Sequence, residues 1–117
     1  MTPTERTLKL IRADGWIVGI TERWNQHAMI RQDLFGFIDM IALKRGHPVT
    51  AIQTTSGANH AKRRKKILGM ETARMWLSAE KSRLVVISWA KRGPRGKKKT
   101  WTPRIEEITL EDFDRAG

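Results

Sequence analysis

Short apolar runs alternate along the chain with polar breaks marked by Gly, Pro and Asn, and that rhythm divides it into elements. Thr2-Pro3-Thr4-Glu5 opens a helix. Thr at the N-cap, Pro at the first helical position and Glu three residues after the cap form a capping box. Leu8 and Ile11 share a face, and Asp14-Gly15 ends the helix. Residues 16–24, WIVGITERW, read as a first strand, and the polar stretch 25–32 as irregular. Residues 34–43, LFGFIDMIAL, read as a second strand. Lys44-Arg45-Gly46-His47-Pro48 is a hairpin-type connection to a third strand at 49–55, VTAIQTT. Ser56-Gly57-Ala58-Asn59 breaks that strand, and Asn59 is placed to cap a long helix running to about residue 79. Ala61, Leu68 and Met75 recur there every seven residues, beside Ile67, Trp76 and Leu77. Residues 84–90, LVVISWA, are apolar enough for a central strand with a parallel neighbour. A basic loop at 91–99, a fifth strand at 100–108 and a short acidic tail complete the pattern. The expected fold is a single α/β domain over residues 1–117, with the order helix, three strands, helix, one or two strands.

Strand parity raises the first chemical question. Side chains alternate faces along a strand. Phe35, Phe37 and Asp39 therefore share one face of the second strand, and Ala51, Gln53 and Thr55 one face of the third. One hairpin register sets Asp39 beside Gln53, with Thr55 a step beyond. An aspartate among Phe37, Ile38, Met40 and Ile41 is costly to leave unpaired. Two readings satisfy it. Asp39 and Gln53 form a buried polar pair, or their oxygens serve a hard cation such as Mg²⁺ together with water and phosphate. Glu22, late on the first strand, reaches the same region, or else pairs with Arg23 or Arg31. Asp33 shares parity with Asp39 at the strand's mouth, as an outer ligand or an ordinary strand-start residue. Phe35 and Phe37 are expected in the core.

Charge changes the picture most. Twenty-three Lys and Arg against twelve Asp and Glu leave a formal +11 on 117 residues. A domain this self-repelling is expected to meet a polyanion, and nucleic acid is the first candidate. The cations concentrate in Lys62-Arg63-Arg64-Lys65-Lys66 near the start of the long helix, and in Lys91-Arg92-Gly93-Pro94-Arg95-Gly96-Lys97-Lys98-Lys99. From these runs Lys62, Arg63, Lys65, Lys66, Lys91, Arg92, Arg95, Lys97, Lys98 and Lys99 are the expected phosphate contacts, giving affinity without sequence reading. Trp101 is expected mainly in the core, with stacking on an unpaired base as its alternative role. Nothing matches a zinc finger, a helix-turn-helix pair or an RNA-recognition motif. There is no cysteine, which excludes disulfides, thiolate metal sites and Cys nucleophiles. His27, His47 and His60 lack ligand spacing, so no zinc site is expected. No apolar stretch reads as a signal peptide or a membrane span, so the reading is an intracellular, cytoplasmic protein without a membrane partner. Its small, basic character fits a phage or mobile-element setting.

Phe37-Ile38-Asp39-Met40-Ile41-Ala42 resembles the "PD" strand of the PD-(D/E)XK nuclease superfamily. Ala51-Ile52-Gln53-Thr54-Thr55 sits where that superfamily carries its (D/E)XK strand. Thr4-Glu5-Arg6-Thr7-Leu8 resembles the first-helix acidic motif of archaeal Holliday junction resolvases. The resemblance spans roughly residues 2–90. It implies a restriction-endonuclease-like core, a mixed central sheet flanked by helices, and a Mg²⁺- or Mn²⁺-dependent DNA endonuclease selective for a junction, flap or end. By resemblance Asp39 is the principal metal ligand, Glu5 the first-helix acid, Gln53 the second acid and Thr55 the motif lysine. Gln53 supplies an oxygen without charge, and Thr55 supplies no cation. Lys62 or Lys65, early on the following helix, would then take the lysine's role. A symmetric DNA target implies a homodimer. The alternative is a non-catalytic nucleic-acid-binding module on the same fold, with an RNA-associated basic protein as a third reading.

Overall fold

A computed structural model describes residues 1–116. Helix α1 spans Pro3–Ala13. The Thr2 hydroxyl accepts from the Glu5 backbone N–H at 3.2 Å, which supplies one half of the expected capping box. Five strands form the central sheet: β1 (Ile17–Ile20), β4 (Met40–Leu43), β5 (Val49–Ser56), β6 (Ser82–Arg92) and β7 (Thr100–Ile108), in the order β1-β4-β5-β6-β7. A separate two-stranded ribbon pairs β2 (Arg23–Asn25) with β3 (Ile30–Gln32). Helices α2 (His60–Leu68) and α3 (Glu71–Ser78) link β5 to β6, and α4 (Leu110–Ala116) closes the described chain. The protein is thus α/β, with a mixed sheet flanked by helices. All pairings are antiparallel except β5 with β6.

The sheet has a core on each face. On one, α1 packs Leu8, Leu10 and Ile11 against Val18, Met40, Ala42, Ile52, Val85, Ile87 and Trp89. On the other, α2, α3 and α4 cover Ala51, Leu84, Val86 and Ile108 together with Phe37, Ile38, Ile67, Ala73 and Phe113. Thr50 to Thr55 are all buried, as a central strand covered on both faces requires. Thr7 bonds across to the Thr54 hydroxyl at 2.8 Å and accepts from the Trp89 indole N–H at 2.9 Å, so α1 is pinned to β5 and β6.

Several expected boundaries move. The strand expected over 34–43 holds only at Met40–Leu43. Its first half is a tight turn in which Phe35 (φ 56°) and Gly36 (φ 87°) are left-handed, and Leu34 bridges back to Ile38. Phe37 is buried as expected, but the turn swings Phe35 outward to 59% exposure. The run WIVGITERW divides after Ile20, and its last residues join the supposedly irregular 25–32 to make the β2–β3 ribbon. The single long helix breaks at Gly69-Met70, and Asn59 makes no side-chain cap. Its seven-residue spacing carries across the break, leaving Met75 61% exposed. Strand β6 continues through Lys91 and Arg92, so the basic loop is only its outer part, and the acidic tail is helical. No described helix is long and apolar enough to cross a membrane.

Candidate metal centre and phosphate cleft

The centre begins with hairpin register. Met40 lies opposite Ile52, which brings Asp39, one residue earlier, against Gln53, one residue later. Asp39 is 4% exposed, and its Oδ2 accepts from Gln53 Nε2 at 2.6 Å and from the Thr54 N–H at 2.8 Å. Both bonds end on Oδ2. The Gln53 side-chain oxygen, Oε1, receives no hydrogen bond among the described residues.

Two backbone devices gather further acids here. The Asp39 carbonyl accepts from the Thr21 and Glu22 N–H groups at 2.9 and 3.3 Å, fixing Glu22 as the chain leaves β1. The turn 33–38 folds back through Gly36 N–H to Asp33 carbonyl (3.0 Å) and Ile38 N–H to Leu34 carbonyl (3.0 Å). That fold-back carries Asp33 to Asp39. One carboxylate oxygen from each of Glu22, Asp33 and Asp39 lies within 4.8 Å of the others. Gly36 suits the turn because its backbone is at positive φ, where a side chain is strained; an added Cβ would meet only the movable end of Met70, 2.6 Å away at Cε.

Burial is the main reason the Asp39 carboxyl is pushed up to about 8, reinforced by hydrogen bonding to the Asp33 carboxyl and by the charges of Asp33 and Glu22. The Thr54 N–H pulls the other way and is outweighed. At neutral pH the cluster therefore keeps a proton where a cation would be welcome.

The acids stand in a cleft of about 770 Å³ whose walls include Arg23, Arg31, Arg63 and Lys66. Arg31 reaches Glu22 at 3.3 Å, and its side chain is largely exposed. Arg63 and Lys66, three residues apart on α2, share the face that meets the cleft. Acidic floor and basic wall together suit a divalent ion below and a phosphate above.

The expected site residues divide accordingly. Asp39 and Gln53 meet at the cleft, with Glu22 and Asp33 beside them. Glu5 is exposed on α1 and outside the cleft lining, where Thr4 stands instead. Thr55 is buried on β5 next to Ser88 of β6, outside the lining as well. Lys62 and Lys65 are exposed on α2 but turned from the cleft; Arg63 and Lys66 hold the position expected of them. A helix repeat of 3.6 residues separates those faces, and a count of charges in the run did not. Lys91 and Arg92 end β6, while Arg95, Lys97, Lys98 and Lys99 crowd the exposed β6–β7 turn. Trp101 is not in the core: it is 46% exposed, with the Arg6 guanidinium 3.8 Å from its ring centroid.

No protein-family model, curated protein or solved structure matches the chain.

Proposed function

We propose that the protein is a divalent-metal-dependent DNA endonuclease on a restriction-endonuclease-like core of the PD-(D/E)XK kind. The observation that carries this reading is the meeting of Glu22, Asp33 and Asp39 at the floor of a cleft walled by Arg and Lys. Those carboxylates, with the Gln53 carbonyl oxygen, form a hard-oxygen set suited to Mg²⁺ or Mn²⁺. A bound ion supplies Lewis acidity toward the phosphoryl oxygen and a more acidic water. Arg63 and Lys66 neutralise the phosphate and hold it over the acids. The element order supports the fold reading: α1, three sheet strands, the α2–α3 crossover, then β6.

The target is selected by shape, a junction, flap or end, because the cations give backbone affinity and no base-reading motif is present. Cleavage of a two-fold target calls for a homodimer. The test is incubation with branched, flapped and linear DNA, and with RNA, in Mg²⁺ or Mn²⁺. Cleavage of branched or flapped DNA that disappears in Asp39→Asn is expected. No cutting by the wild type, or equal cutting by the variant, overturns the reading.

A second reading, a non-catalytic nucleic-acid binder on the same fold, has one observation in its favour. Strand β5, VTAIQTTS, carries no acid and no lysine, and Gln53 gives its N–H to Asp39. It predicts salt-sensitive binding with no divalent requirement, and calorimetric titration of Mn²⁺ separates the two.

A further inference from the structure

Four of the five tryptophans are tied to the rest of the chain. The indole N–H groups of Trp16, Trp76 and Trp89 donate to Asp14, the Arg83 carbonyl and Thr7, at 3.0, 2.9 and 2.9 Å. Trp101 lies under Arg6. Trp24 has no such contact among the described residues and is 52% exposed. Buried or half-buried tryptophans normally find a partner for their N–H, and large exposed apolar groups beside a cleft mark binding surfaces.

Its position is specific. Trp24 stands opposite Arg31 in the β2–β3 register, so the two side chains share one face of the ribbon. Arg31 lines the cleft, as do Arg23 and Gln32 of the next cross-strand pair, and Trp24 stands just outside that lining, at its edge through Arg31. The ribbon pairs only three residues per strand, and Met29 and Ile30 are exposed at its far end. The Asn25 side chain shapes that end by accepting from the His27 and Ala28 N–H groups at 3.0 and 3.1 Å. A two-stranded ribbon gains little stability alone, and exposing Trp24, Met29 and Ile30 adds none. The occupant these residues suit is anionic, because Arg31 shares the indole's face of the ribbon and lines the cleft together with Arg23, Arg63 and Lys66. It also presents a flat apolar face, which an unpaired nucleobase does.

We propose that the β2–β3 ribbon is a wedge that stacks Trp24 on an unpaired base next to the phosphate held in the cleft. The proposal rests on the nucleic-acid reading of the cleft and is independent of catalysis there. It gives the chain a means to distinguish a flap, bulge or branch from continuous duplex: the duplex hides its base faces, whereas a discontinuity offers one.

The experiment is fluorescence anisotropy, without divalent metal, on three labelled DNAs of equal length: a continuous duplex, a duplex with a one-base bulge and a flapped duplex. Wild type should prefer the bulge and flap. Trp24→Ala should lower affinity for those two by roughly 5- to 150-fold, the range for loss of one base–aromatic stack, and leave duplex binding within about twofold. Trp24→Phe should recover part of the loss. A 2-aminopurine at the unpaired position should be quenched by wild type and not by Trp24→Ala. Thermal melting checks that the exposed substitution leaves the fold intact. Three results would overturn the wedge: equal wild-type affinity for all three DNAs, a preference that survives in Trp24→Ala, or a loss of self-association in that variant, which would make the ribbon a protein contact. A wild type that shows the preference but never cuts would sink the nuclease reading and leave the wedge standing.

Discussion

Two polar clusters lie beneath the same α2-bearing face of the sheet, and they are built on opposite terms. Around His60 every charge is answered. His60 Nδ1 meets Ser88 Oγ at 2.6 Å and Nε2 meets Glu106 Oε1 at 2.9 Å, while Arg64 bridges Glu106 and Asp112 at 2.9 and 3.2 Å. Burial works to raise the Glu106 carboxyl, but hydrogen bonds from His60 and Arg64, and their charges, outweigh it and hold it below the usual glutamate range. Around Asp39 acid faces acid, and the carboxyl rises. The first cluster is closed and joins α2, β6, β7 and α4. The second lines an open cleft. A buried polar group reports structure when its neighbours compensate it, and function when they leave it strained.

The sharpest way to break this comparison is to neutralise each cluster in turn. Asp39→Asn keeps an oxygen for the Gln53 and Thr54 donors but removes the carboxylate, so metal-dependent cleavage should fall by about a hundredfold or more. The same variant should melt no lower than wild type, and higher above pH 8, because it relieves a strained acid. A drop in melting temperature would show that Asp39 is structural. His60→Ala should do the reverse and cost about 2–4 kcal/mol in denaturant unfolding, since it leaves Ser88 without its partner, leaves Glu106 with Arg64 alone and opens a buried cavity. A loss under about 0.5 kcal/mol, the range of ordinary surface changes, would contradict the closed-cluster account.

The pH dependence differs in sign between the clusters. Asp39 is raised in the folded state from 3.8 to about 8, so its contribution to stability is whole below its unfolded value and is lost as pH rises through about 8. Glu106 is lowered, so its contribution is present above the unfolded value and is lost as pH falls through the folded one. On the metal-centre reading, Mn²⁺ competes with the Asp39 proton. The melting shift it produces should therefore grow from about pH 6 to about pH 9. A shift independent of pH would place the ion elsewhere. A smaller effect is expected from Gly36→Ala, about 1–2 kcal/mol of stability lost through its positive φ. Smallest of all, Lys66→Ala should slow cleavage about tenfold at subsaturating DNA, against under about twofold for Lys62→Ala.

Which parts of this were legible in the sequence follows from how local each cause is. The α1 cap, the β4–β5 connection and the parallel partnership of β6 rest on neighbouring residues or on unbroken apolar runs, and each is visible in the letters. The Asp39–Gln53 pair was visible as one of the open registers, since parity limits the choices. The turn at 33–38 was not. Phe35 adopts a left-handed backbone that an aromatic rarely takes, held by the Thr72 hydroxyl donating to its carbonyl at 2.9 Å, thirty-seven residues along the chain. The same distant packing brings Asp33 inward by a route strand parity does not describe. Glu5 fits a capping box and the first-helix motif alike, and its place on α1 turns it to solvent; the acids present arrive from the loops after β1 and before β4.

The lone parallel pairing has a consequence for how the molecule assembles. Strands within residues 17–56 and within 82–108 pair antiparallel with near partners, whereas joining Val49–Ser56 to Ser82–Trp89 requires the intervening helices to be spanned first. The carboxyl groups all belong to the earlier stretch, and Arg63 and Lys66 to the bridging segment. Newly made chain would thus hold the acids with Arg23 and Arg31 first, and the cleft would be walled on its helical side only when the seam between the two halves zips shut.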